Sequence, residues 1–184
     1  TSTPFLAHRD THKALRAELT SFFRPAMLEY WRPQINERAR AQIEKADERD
    51  EICLVRDLAI PFLQDVAADV IGVPPLDPDR AYDLFRDAEA SLEPLPRIKQ
   101  LLAAQAALEV LCAHAEGALL DTSCDRPRTF VGHLRRVRGA RDEISMQDLS
   151  VLVVICYITT VATANTFVNI AYRKLTNTGS FADF

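Results

Sequence analysis

The chain has 184 residues, of which 48% are hydrophobic and 26% are charged. This composition is that of a globular protein and excludes a disordered chain. A formal net charge of −4 argues against a nucleic-acid partner and against an anionic membrane surface. With only 5 glycines beside many Ala, Leu, Arg and Glu residues, the composition favours helix. We expect an all-α fold and a single domain over residues 1–184.

The first two helices are predicted from hydrophobic spacing. One begins near Thr11 and extends past Phe23, with Asp10 or Thr11 as its N-cap. The next opens at Pro25, a residue that suits the first turn of a helix. Pro33 is expected to kink or split this second helix, because proline lacks the backbone N–H that the interior of a helix uses.

The middle of the chain predicts further helices. Residues 54–71 have one apolar face, and Gly72 with the Val-Pro-Pro stretch behind it forms a good C-terminal stop. Asp77 is placed to cap a short helix. A long Ala/Leu-rich helix is expected over 97–120, and a short one over 130–137. No strand-like alternation of any length interrupts them.

A final long helix is predicted from 146 to about 175. Ser145 and Asp148 form a partial capping box at its start, with Asp where Glu or Gln is usual. Residues 149–172 contain no charged side chain, which is also the length of a transmembrane helix. Because threonines and asparagines recur along this run and are costly against lipid, we favour a central helix buried in the protein over a membrane span.

The four cysteines do not have the spacing of a metal site. Cys112 and Cys156 lie in apolar helical patterns typical of buried, reduced thiols, whereas Cys53 and Cys124 do not. The chain opens without a secretory signal pattern. We therefore expect a cytoplasmic protein with reduced cysteines.

Three segments, in this order, resemble the bacterial form of the cytochrome P450 superfamily of haem-thiolate monooxygenases. THKALRAELTSFFRPAMLEYWRP is similar to the third named helix of that family, and VRDLAIPFLQDVAADVIGVPPLDPDR to the next stretch with its Gly-Val-Pro turn. DEISMQDLSVLVVICYITTVATANTFVNIAYRKL is similar to the long central helix that crosses the distal face of the haem. The resemblance implies a partial P450-like helical domain, from a divergent or truncated member of the family.

The same resemblance implies a role for His12 and Arg16, which match the pair that binds the haem propionates. Both side chains project from one helix face, since they are four residues apart, and two cationic donors suit two carboxylates. A solvated helix face explains the pair equally well without any ligand.

Several features that the resemblance implies are absent from the sequence. No Phe/Gly-rich loop ends in a Cys that would hold haem iron, and no Glu-x-x-Arg helix follows. The family's Ala-Gly-x-(Glu/Asp)-Thr-Thr pattern aligns with residues 158–163, which puts Val161 at the acid and Ala162 at the alcohol. Val cannot relay a proton and Ala has no hydroxyl. We expect this chain alone to bind no haem and not to be a competent monooxygenase.

The central helix nevertheless predicts an apolar pocket dotted with hydroxyls. Its candidate lining residues are Thr159, Thr160, Val161, Ala162, Thr163 and Phe167. Such a pocket suits non-redox chemistry, for example cyclisation or isomerisation of a terpene-like substrate in secondary-metabolite biosynthesis. If the substrate were a prenyl diphosphate, Mg²⁺ would be needed, and the weak candidates for it are Asp83, Asp87 and Glu89, which a solvated helix face also explains.

Two other functions stay open. The first is a non-catalytic helper subunit of another biosynthetic enzyme, with a second copy or that partner enzyme covering exposed apolar surface. The second is a fragment of a working haem-thiolate monooxygenase. All three alternatives predict a partner that is neither nucleic acid nor membrane.

Overall fold

The computed structural model describes residues 9–49, 51–90, 95–122, 128–140, 144–159, 163 and 166, without the side chains of 9–12 and 140. The α-helices in this part are α1 (Arg9–Phe22), α2 (Pro25–Asp47), α3 (Ile60–Val70), α4 (Pro78–Glu89), α5 (Ile98–Leu120) and α6 (Phe130–Ala140). A further helix, α7, occupies 146–159. These described ranges contain no strand, which confirms the all-α prediction.

The first two helices differ from their predicted form. Because α1 begins at Arg9, both Asp10 and Thr11 lie inside the helix and neither is its cap. The helix α2 continues across Pro33 to Asp47, so the predicted split is wrong. Pro33 is exposed, and water can therefore reach the carbonyl that loses its helical partner there.

The segment 54–71 is not one regular helix as predicted. A π-helical turn, Leu54–Ala59, leads directly into α3. The backbone N–H of Cys53 donates to Oδ2 of Asp57 at 2.7 Å, which fixes the start of the turn. Pro61 then lies in the first turn of α3, where its missing N–H leaves no partner unsatisfied.

Gly72 ends α3 as predicted, with a φ of +90°. Its N–H donates to the carbonyl of Ala67 at 3.0 Å, and Val131 N–H donates to the carbonyl of Ile71 at 2.8 Å. A Cβ atom on Gly72 would lie 2.6 Å from Oγ1 of Thr129. Only glycine therefore allows this turn to pack against the start of α6.

The termini of three helices, α4, α5 and α7, are closed by side chains. The backbone N–H of Arg80 donates to Oδ1 of Asp77 at 3.1 Å, which confirms the cap of α4. The backbone N–H of Asp148 donates to Oγ of Ser145 at 3.1 Å, as the capping box predicts. The guanidinium of Arg135 donates to the carbonyl of Leu119 at 3.1 Å and to those of Ala118 and Asp121, which satisfies the carbonyls at the C-terminus of α5.

The core is built around α7 and a cluster of aromatic rings. Leu149 and Val153 of α7 are fully buried. The ring of Tyr157 packs edge-on against Phe85 of α4, with 5.0 Å between centroids. No helix in the described ranges is long and apolar enough to cross a membrane; the uncharged run 149–172 continues past 159, beyond the end of α7 as described.

Substitution of Gly72 by alanine is expected to destabilise the fold by at least about 2 kcal/mol, from a positive φ and the contact with Thr129. The matched control is Gly117→Ala, because a Cβ atom there meets nothing within 4 Å. Because Gly117 lies inside α5, this control is expected to stabilise the fold by as much as about 1 kcal/mol. Urea denaturation of both variants measures the difference, and equal midpoints would contradict the role given to Gly72.

Candidate functional site

A mainly apolar cavity of about 220 Å³ lies between α3 and α7, beside the end of α1. It is lined by Phe23, Val66, Ala67, Val70, Ile71, Cys156 and Thr159. Thr159, a candidate from the sequence, is thus on its wall. Small-molecule sites typically measure about 300–1,000 Å³, so the described part of this cavity accommodates a small apolar group or one end of a larger substrate.

The hydroxyl of Thr159 is already engaged. Its Oγ1 donates within the helix to the carbonyls of Ile155 at 2.8 Å and of Cys156 at 3.0 Å. This is the usual way in which a threonine inside a helix uses its proton. The oxygen keeps its acceptor capacity, so Thr159 offers a ligand an acceptor rather than a donor.

Cys156 is the other side chain of α7 on the wall of the cavity. Burial raises the pKa of its thiol to about 12. The thiol is therefore protonated at neutral pH, and it behaves as a small apolar group rather than as a nucleophile.

Gln64 fixes the orientation of α7 beside this cavity. The side chain of Gln64 is only 2% exposed, and its Oε1 accepts hydrogen bonds from Leu76 N–H at 2.7 Å and from the hydroxyl of Tyr157 at 3.2 Å. Burial raises the pKa of Tyr157, against a smaller opposite effect of the Leu76 backbone. With Tyr157 held in this way, the rotation of α7 that turns Cys156 and Thr159 to the cavity is fixed.

Comparison with known proteins identifies the fold. No family model matches the sequence. Over 66 residues the chain is 36% identical to cytochrome P450(BM-1) of Priestia megaterium, a stretch that covers 36% of this chain and 16% of that relative. The structure resembles P450BioI in complex with hexadec-9Z-enoic acid ligated acyl carrier protein, with a TM-score of 0.79 and 17% identity over 95% of this chain. The chain has a partial cytochrome P450 fold.

A second solved structure agrees. The myxobacterial cytochrome P450 CYP267B1 in complex with myristic acid matches 88% of this chain, with a TM-score of 0.67 and 23% identity. The chain covers 45% of P450BioI and 40% of CYP267B1, and so spans less than half of either protein. The P450 fold predicted from the three ordered segments is confirmed.

The other candidate residues of the central helix of this P450 fold are mostly beyond the described part. Thr163 is helical and exposed. Thr160, Val161, Ala162 and Phe167 lie outside the described residues. The loss of the acid and of the alcohol at 161 and 162 is therefore a statement about the sequence, and the pocket role of these residues stays a prediction.

The acidic candidates lie on α4, around an arginine. Arg86 makes ion pairs with Asp83 and Asp87, each with N–O distances of 3.0 Å. The hydrogen bond with Asp87, followed by its charge, raises the pKa of Arg86. Glu89 is half-buried at the end of α4, two residues beyond Asp87. The described residues contain no group of three or more His, Cys, Asp or Glu side chains that could hold a metal, and the Mg²⁺ role of these acids stays a prediction.

The pair expected at the haem propionates is only partly described. The side chain of Arg16 is exposed on α1, and the side chain of His12 lies outside the described residues. A polar pair that the sequence did not predict lies two residues further along α1. Nε2 of His133 is 3.0 Å from Oε2 of Glu18, and both side chains are mostly buried. This contact joins α1 to α6, while the propionate role of His12 and Arg16 stays a prediction.

A haem-thiolate centre needs a deprotonated cysteine to hold the iron. Cys112 lies within α5 and Cys156 within α7, inside regular helices rather than in a loop of the kind that the P450 resemblance implies for the iron ligand. Cys53 is exposed before the π-helical turn and does not line the cavity, and Cys124 lies outside the described residues. The described residues do not fit a haem-thiolate centre.

Proposed function

We propose that this chain is a P450-derived protein that uses an apolar pocket along α7 for non-redox chemistry on an apolar small molecule. The observation that carries the proposal is the wall of the cavity, where a protonated thiol and an acceptor-only hydroxyl lie on the central helix of a P450 fold. The reaction class that this wall suits is cyclisation or isomerisation of a terpene-like substrate in secondary-metabolite biosynthesis.

The cavity supports such a reaction by its shape and its apolar lining. Val66 and Val70 of α3 present branched side chains opposite α7, which restricts the conformations of a flexible hydrocarbon chain. The ring of Phe23 provides an aromatic face, and such a face stabilises a nearby cationic centre. The oxygen of Thr159 orients a hydroxyl group of the substrate by accepting its hydrogen bond.

A haem-thiolate monooxygenase is the competing function. The 36% identity with cytochrome P450(BM-1) over 66 residues favours it. Under this alternative, the chain supplies part of the distal side of the haem site, and a segment outside residues 1–184 supplies the iron ligand. The sequence makes it the weaker proposal, because Val161 and Ala162 stand where the resemblance implies an acid and an alcohol.

The helper-subunit alternative has an observation of its own. Four apolar side chains are exposed at the start of α5: Leu95, Ile98, Leu101 and Leu102. We define them as the α5 apolar face. Leu95 is 91% exposed and Ile98 is 77% exposed, and clustered apolar groups of this kind mark protein interfaces. P450BioI, similar in fold, forms a complex with an acyl carrier protein.

We propose a second copy of this chain as the occupant of the α5 apolar face. Leu120, 61% exposed, lies at the opposite end of α5 and on the side that Leu102 faces. An antiparallel second copy therefore brings Leu120 of each copy to Ile98 of the other. The same arrangement places Arg97 and Lys99 at the end where Asp121 of the other copy lies, so the charges are complementary.

The pocket proposal predicts that a terpene alcohol such as geraniol binds the purified protein. Val70→Phe fills the cavity and is expected to weaken binding at least tenfold by calorimetry, whereas Ala106→Phe on the exposed face of α5 is not. Thr159→Val removes the acceptor and is expected to weaken geraniol by about 0.5–1.5 kcal/mol while leaving a hydrocarbon analogue unchanged. Equal binding to wild type and Val70→Phe would contradict the proposal.

The partner proposal predicts a dimer at micromolar concentration in light scattering after size exclusion. Ile98→Glu places a charge in the α5 apolar face and is expected to give a monomer. Ile43→Glu is the matched control, since Ile43 is 44% exposed on α2 and is expected to leave the dimer intact. A wild-type monomer would refute the second copy as the occupant.

A further inference from the structure

A second and larger cleft lies between α2, α3 and the start of α6. Its volume is about 660 Å³, and it opens to solvent. Its polar and aromatic lining side chains include two arginines and two carboxylates: Tyr30, Trp31, Gln34, Glu37, Arg38, Asp69 and Arg128. This cleft shares no lining residue with the cavity beside α7, and nothing in the proposed function uses it.

One arginine of the cleft is fully committed to the fold. Arg38 Nε donates to Oδ2 of Asp69 at 2.9 Å, and its Nη2 donates to Oδ1 at 3.4 Å. This two-point contact joins α2 to α3, and its hydrogen bond raises the pKa of Arg38. The charge of Arg38 is thus offset within the cleft, and Arg38 forms part of the wall.

Arg128, the other arginine of the cleft, lies over an aromatic ring. The guanidinium carbon of Arg128 lies 4.3 Å from the centroid of the Tyr30 ring. Among the described residues no carboxylate lies within ion-pair distance of Arg128. Hydrogen bonds with Gln34 and then with Arg128 lower the pKa of Tyr30. Arg128 is therefore a positioned cation whose charge is not offset by a carboxylate in the described part of the chain.

The indole of Trp31 forms part of the same cleft. Trp31 is 2% exposed, and its ring packs against Phe22 at 5.1 Å between centroids. These contacts hold the indole in the wall of the cleft.

We propose that this cleft binds a small organic oxyanion, a carboxylate or a phosphate monoester. Arg128 is its charged contact, because a guanidinium binds such groups through paired hydrogen bonds. The rings of Tyr30 and Trp31 contact the organic part of the ligand. Neutral molecules of the same shape bind more weakly, since they leave the cation without an anion.

The chain has a single tryptophan, so intrinsic fluorescence reports on this cleft directly. Titration with benzoate and with phenyl phosphate is expected to give a saturable change for at least one of them, and the tighter of the two identifies the anion. Benzamide, the neutral analogue, is expected to bind at least tenfold more weakly. No saturable change with either anion, or an equal response to benzamide, would overturn the proposal.

The variant Arg128→Gln distinguishes a direct contact between Arg128 and the bound anion from general electrostatic attraction to the protein. We expect this variant to weaken binding of the preferred anion at least tenfold. Arg138→Gln removes the same charge from the exposed side of α6 and is expected to change the affinity less than twofold. Circular dichroism checks that both variants are folded. The proposal fails if Arg128→Gln binds as wild type does, or if Arg138→Gln loses as much affinity.

Discussion

One buried amide oxygen, Oε1 of Gln64, accepts hydrogen bonds from two different parts of the chain. Leu76 N–H comes from the turn after α3, and the hydroxyl of Tyr157 comes from α7. A buried polar group that loses its partner costs about 1–3 kcal/mol, so the turn and the central helix are both held to α3. The surrounding contacts follow from this arrangement: Gly72 allows the turn to meet α6, and Tyr157 places Cys156 at the cavity.

The sequence predicted those parts of the fold that depend on local chemistry. Gly72 ends α3 and Asp77 caps α4, because both roles are set by the residue and its immediate neighbours. The prediction that Pro33 splits the second helix was wrong, because an exposed position on a long helix tolerates the missing hydrogen bond. Gln64 could not be predicted at all. Its partners lie 12 and 93 positions along the chain, and only the tertiary fold brings them together.

The candidate site was predictable to a similar degree. Thr159 does lie at a cavity, because the resemblance located the central helix correctly. The opposite wall, Val66 and Val70, has a pattern that is indistinguishable from ordinary core. The Mg²⁺ role of the acids of α4 stays a prediction. Arg86 lies within the same helical turn as Asp83 and Asp87 and forms ion pairs with both.

The P450 fold of this chain carries an apolar cavity on α7, and Val161 and Ala162 stand where the resemblance implies an acid and an alcohol. We propose that this chain works without haem-thiolate chemistry. The most direct measurement is an absorption spectrum of the purified protein, reduced in the presence of haemin and carbon monoxide. We predict no absorption band at about 450 nm, the signature of carbon monoxide on thiolate-bound haem iron. A band at that wavelength would contradict the claim and favour the monooxygenase.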